Sequence, residues 1–341
     1  MIKKIKNIIA FVAVLTLLNS CFPEDSPISP KSKLGLSQGI AVIDKFYSTQ
    51  SWFNLFSDST LAQSKLTEWD LGFECDKFGY HIILNYAKIM SAATVADKTF
   101  EEVISKEDLN FKYERPEGNM DSTAFGDWWI KNGNSIASKN LVYVVNRGIN
   151  EKSRQLGYKK VQVISYNNDT YVIRVADLDG RNNDTLEVPK NPLLNYQIVS
   201  FESPISIKNI EPLSTDWQIH FTRYTHFFDV SGFEIYSVVG VFINPRYVSA
   251  TVDSLSKFED IKLQDIPKYN FIKDRNVIGY EWKFYKFDVE SFTVDTKKTY
   301  LIKVEDLYPE TKYFKLRFID FYKNINGKLE KGYPKFEYTQ L

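Results

Sequence analysis

The side chains that carry most enzyme chemistry are scarce here. The chain of 341 residues holds three histidines, His81, His220 and His226, and two cysteines, Cys21 and Cys75. That leaves little for a zinc site or for general-base work. No His-Glu-x-x-His zinc helix and no Gly-x-x-x-x-Gly-Lys-Ser/Thr phosphate loop occurs. A glycosidase needs only two carboxylates beside a cleft, but pairs such as Glu101-Glu102 and Glu305-Asp306 are what 43 acidic residues supply by chance. The expectation is a binding protein and not an enzyme. Equal numbers of basic and acidic residues, 43 of each, also argue against nucleic acid as a partner, which calls for a concentrated basic surface.

The N-terminus reads as an address. Lys3, Lys4 and Lys6 precede an apolar run from Ile8 to Leu18, too short for an ordinary membrane-spanning helix of ~20 residues and suited to a secretory signal. Leu18-Asn19-Ser20-Cys21 resembles a bacterial lipobox, which makes residues 1–20 a signal peptide and Cys21 the lipidated first residue. Residues 21–40 then form a tether, rich at its start in proline and serine through Pro23, Pro27, Ser29 and Pro30. Glu24-Asp25 resembles the export signal of surface lipoproteins, so the expected location is the outer membrane, lipid-anchored, at the cell surface, with retention facing the periplasm the alternative. With Cys21 acylated, Cys75 has no disulfide partner and is expected as a small buried residue.

Behind the tether the pattern is one of strands. Period-two alternation runs through Trp69–Phe73, Trp217–Phe221 and Phe314–Phe318, each expected to be half-buried, and β-branched or aromatic runs cover 143–145, 160–164, 171–175, 238–243, 280–287 and 300–304. Thr99 and Glu102 have the spacing of a capping box and predict one short helix. Landmarks recur in order: Trp69 with Trp217, Ile82–Asn85 with Val241–Asn244, Phe100–Val103 with Phe258–Ile261, Tyr143–Val145 with Tyr300–Ile302, and Lys160–Tyr166 with Lys315–Phe321. The spacing jumps between the first two pairs, placing an insertion at 225–236. The expectation is an all-β chain, an internal duplication forming two tandem antiparallel lobes with minor short helices, one unit at 41–204 and the other at 205–341.

Thr215–Tyr224, Ile278-Gly279-Tyr280, Tyr300–Val304, Tyr313–Phe318 and the closing Gly332–Tyr338 together resemble the HmuY family of lipoproteins, as does Trp69–Phe73. The resemblance implies an iron-acquisition protein that takes haem from a host haem protein and passes it to a TonB-dependent outer-membrane receptor. It implies axial histidine or methionine ligands, both of which donate to haem iron. The candidates are His226, in the inserted aromatic stretch, then His81, with Met90 and Met120 behind them; His220 is expected to be structural. The alternative is a cofactor-free surface lipoprotein that binds protein or glycan in an uptake or adhesion complex, where exposed aromatics stack on sugar rings as they would on haem.

Overall fold

The computed structural model describes residues 35–133, 135–228 and 234–341. The expected signal peptide, Cys21 and most of the expected tether lie outside them. Three strands come first, β1 Ser37–Ile40, β2 Thr49–Asn54 and β3 Ser59–Lys65, so the chain is already folded before the expected end of the tether at residue 40. Then follow β4 Leu71–Glu74, β5 Ile82–Leu84, β6 Ser91–Val95, β7 Lys112–Tyr113, β8 Trp129–Asn132, β9 Ser135–Ser138, β10 Val142–Asn146, β11 Tyr158–Asn167, β12 Thr170–Asp177, β13 Asp184–Pro189, β14 Tyr196–Ser200 and β15 Ser206–Lys208. The last set is β16 Ile219–Phe228, β17 Glu234–Ile243, β18 Val248–Asp253, β19 Lys283–Lys286, β20 Ser291–Val294, β21 Thr299–Val304, β22 Lys312–Ile325 and β23 Lys328–Gln340. All named pairings are antiparallel.

The all-β expectation holds, and among the described residues the helical content is two short 3-10 segments, Met120–Ser122 and Leu263–Lys268. The helix expected at Thr99 is a single turn: Glu102 accepts from both the Thr99 amide and its hydroxyl, but no helix continues. Nothing in the next turn extends the pattern, and Phe100 and Val103 are drawn into the core beneath.

Two sandwiches result. In the first, sheet β15-β14-β4-β5 packs on sheet β13-β12-β11-β10-β6-β7 around Leu71, Phe73, Tyr143, Val161 and Ile173. In the second, sheet β17-β16-β2-β3 packs on sheet β1-β23-β22-β21-β18 around Phe53, Phe221, Val241, Ile302 and Phe336. The sheets do not follow the linear division expected at residues 204 and 205. Residues 37–65 join the second sandwich, where Ser37 pairs with Tyr338 and Phe53 with Ile219. The reason is geometric: β14 completes the first sandwich beside β4, and β2, from the other end of the chain, takes the same place beside β16.

Corresponding residues make matching contacts in the two sandwiches. Asn85 donates its side-chain amide to the carbonyls of Leu66 and Trp69, at 2.7 and 2.9 Å, and Asn244 donates to Ser214 and Trp217 at the same distances. The Phe201 amide donates to Asp70, and the Leu55 amide donates to Gln218. Lys160 lies over Phe100 and donates to the Val103 carbonyl, while Lys315 lies over Phe258 and donates to those of Phe258 and Ile261. The two indoles that open the copies therefore occupy matching surroundings.

The alternation expected to leave strands half-buried does so only in part. Trp217 to Phe221 is buried on both faces, because Ile219 and Phe221 enter the second core while Trp217 and His220 meet the other lobe. Only the middle of the 280–287 run, β19, is a strand.

Closing the second sandwich with the N-terminal strands should make it sensitive to changes there. Phe53 is buried edge-on to Phe336, ring centres 5.0 Å apart, and Phe53→Ala should cost about 3–5 kcal/mol in urea unfolding. Gly39 lets the Phe336 ring approach so closely that an added Cβ would sit 2.4 Å from it, so Gly39→Ala should cost about 1–3 kcal/mol. A near-native midpoint for both variants would mean that strands β1 and β2 are not integral to the fold.

Candidate functional site

Where the two inner sheets face one another, a third apolar cluster forms from Trp52, Trp69, Ile83, Ile198, Ile210 and Trp217. The sheets bury their second faces there, yet they leave a cleft, which Tyr86, Tyr196, Glu211, His220, Arg275 and Gln50 also line. Tyr86, Tyr196 and Glu211 keep partial exposure and mark its mouth. About 40 Å³ of it is open to the centre of a water molecule, room for about three waters and far below the ~300–1,000 Å³ of ordinary ligand pockets.

The chemistry of this cleft is set by burial. His220 stacks on Trp52, ring centres 4.2 Å apart and planes 4° from parallel, with Nε2 3.2 Å from the Gln50 side-chain oxygen. Burial, aided by Arg275, holds its pKa well below the ordinary value, so the ring is neutral. Glu211 accepts from the Asn195 amide at 2.6 Å, but burial outweighs that bond and pushes its pKa up to about 7. The Arg275 guanidinium lies over the rings of Tyr86 and Phe242, at 4.9 and 4.6 Å.

The expected haem ligands do not converge. His81, just before β5, holds Nδ1 2.6 Å from Glu74 Oε2 and its ring edge-on to Trp129. His226 lies near the end of β16 between Phe228 and Tyr280, ring centres 4.6 and 4.8 Å away. Its Nδ1 is buried without a hydrogen-bond partner, and burial lowers its pKa despite Glu281. No ring contact or hydrogen bond joins the two histidines. Met90 is in the first core, and Met120 Sδ accepts from the Tyr196 hydroxyl at 3.8 Å. Cys75 is buried, its thiol pushed up to about 11 by burial. Among the described residues, no three His, Cys, Asp or Glu side chains gather to hold a metal, and no helix is long and apolar enough to cross a membrane.

Sequence reasoning missed the cleft, and it treated His220 as merely structural. The available signal was Trp52-Phe53, an aromatic pair in a stretch absorbed into the first unit. One lipase-like spacing does occur, Gly35-Leu36-Ser37-Gln38-Gly39, but Ser37 sits in strand β1 opposite Tyr338 and not at the strand-to-helix turn that a nucleophile elbow requires.

A second charged group is buried nearby. Glu114 accepts the amides of Leu84 and Ala124, at 3.1 and 3.2 Å, covering the edge of β5. Burial still raises its pKa from 4.5 to about 7. The folded state thus binds a proton that the unfolded state releases above about pH 4.5, and stability should fall as pH rises from there to about 7, then level off. Glu114→Gln keeps the accepting carbonyl without the charge. It should raise stability at pH 8 by about 1–3 kcal/mol and flatten the decline, measured by urea unfolding at several pH values; an unchanged profile would place the titration elsewhere.

Compared with protein-family models, with curated proteins and with solved structures, the chain matches none.

Proposed function

We propose that this chain is a haem-binding surface lipoprotein in which His81 is an iron ligand and His226 the other candidate. The observation that carries the reading is the His81–Glu74 contact. A carboxylate can only accept, so Nδ1 carries the proton, and in the neutral ring Nε2 keeps its lone pair for a ligand. Carboxylate-oriented imidazoles of this kind are the usual metal-ligating form. The Trp129 edge beside His81, and Phe228 and Tyr280 around His226, supply aromatic surface for a macrocycle. Anchoring through Cys21 and transfer to a TonB-dependent receptor belong to the same proposal. Met90, enclosed in the core, fits it poorly.

A second reading, a cofactor-free binder of protein or glycan, draws support from the β19–β20 hairpin. Its counterpart is β8–β9: fully buried Trp128 and Trp282 precede the two, and each accepts an amide at the far end, from Lys139 and Asp295. The first hairpin exposes Ile130, whereas the second exposes Phe284, Phe287 and Val289, with Phe287 85% accessible. The fold does not need that apolar tip, and such patches mark contact surfaces.

Titrating the chain lacking residues 1–21 with haemin separates the readings. A sharp Soret band that His81→Ala weakens or shifts is expected. Absence of a band removes the haem reading, and a band indifferent to both His81→Ala and His226→Ala removes the ligand assignment.

A further inference from the structure

The cleft between the lobes holds a carboxylate and a guanidinium that do not meet. Glu211 and Arg275 form no ion pair, yet the phenols of Tyr86 and Tyr196 feel both charges, Arg275 drawing their pKa values down and Glu211 driving them up. Arg275 is 94% buried, being 6% exposed, and donates only through Nη2, to the Arg115 carbonyl at 3.3 Å, while its buried Nε has no acceptor. A buried N–H of a charged group left unsatisfied is costly. Opposite charges facing one cleft without closing on each other leave a gap with a defined polarity. Around it stand Trp52, Trp69 and Trp217, surfaces that favour an ammonium group.

We propose that this cleft is a binding site for a small zwitterion of glycine size, its ammonium group against Glu211 and the indoles and its carboxylate on the Arg275 guanidinium. Size follows from the volume: the space of about three waters suits five covalently linked atoms, because bonded atoms lie closer together than hydrogen-bonded waters. A branched aliphatic side chain has no room beside Ile83, Ile198 and Ile210. His220, neutral and held by Gln50, adds no competing charge. The site is independent of haem, since neither His81 nor His226 lines it.

The test is indole fluorescence of the full-length protein titrated with glycine, because three of the six tryptophans line the cleft. A saturable change is expected, with methylammonium and acetate each binding about ten-fold or more weakly and leucine not at all. Glu211→Gln, close to isosteric, should weaken glycine about ten-fold or more. Calorimetry at pH 7 in buffers of different ionisation enthalpy should show proton release by wild type and none by the variant. No saturable response up to about 10 mM glycine, corresponding to under ~3 kcal/mol of binding, would mean that water alone fills the cleft and would overturn the proposal. So would equal affinity in Glu211→Gln, or leucine binding as well as glycine.

Discussion

The pairing of β2 with β16 is the constraint from which most of this structure follows. It joins residues about half the chain apart, such as Phe53 and Ile219, and closes the second sandwich with strands made before the first sandwich begins. Loop-closure entropy grows only slowly with length, so a pairing this distant is affordable if the faces it brings together are apolar. Phe53 and Leu55 supply one such face, and Trp52 supplies the other. Each inner sheet is then buried twice, against its own outer sheet and against the other lobe, which is why β16 is enclosed where an ordinary antiparallel strand would show one face to water.

The two sandwiches share backbone devices and differ in charge. The asparagine that bridges two carbonyls at the opening tryptophan is the same in both copies. Beside it, the first copy buries Asp70 with Lys88 at 2.5 Å and Arg147 at 3.0 Å. Burial would raise the Asp70 pKa, but the two cations hold it below the ordinary carboxylate value. The second copy has Gln218 in that place, and its amide oxygen does the same backbone work without an ionic network. Buried ion pairs often stabilise no more than an apolar replacement, so the exchange is compatible with one fold.

The three histidines show how position, and not residue type, assigns chemistry. His220 is neutral because it is stacked and enclosed. His81 is oriented because Glu74 lies within hydrogen-bond reach, with Gly79 leaving the carboxylate space that a side chain would take. His226 sits at the end of the extended β16–β17 pair, the place where the second copy departs most from the first. No count of histidines separates these cases.

By itself the sequence determined the strand class, because period-two alternation depends on residues near one another in the chain, and its recurring landmarks such as Trp69 with Trp217 fall at matching places in the two sandwiches. It also identified Cys75 as buried, from its lack of a disulfide partner once Cys21 is taken as acylated. It overextended the helix at Thr99 and the strand at 280–287, where core contacts of Phe100 and the turn before Lys283 outweighed local preference. Only the tertiary structure decided that residues 37–65 belong with the far end of the chain, since Phe53 corresponds to Val199 and Leu55 to Phe201 in apolar character alone. It also decided the cleft: Trp52, Glu211, His220 and Arg275 come from separate stretches, and what joins them is the packing of two sheets against each other, which no spacing along the chain encodes.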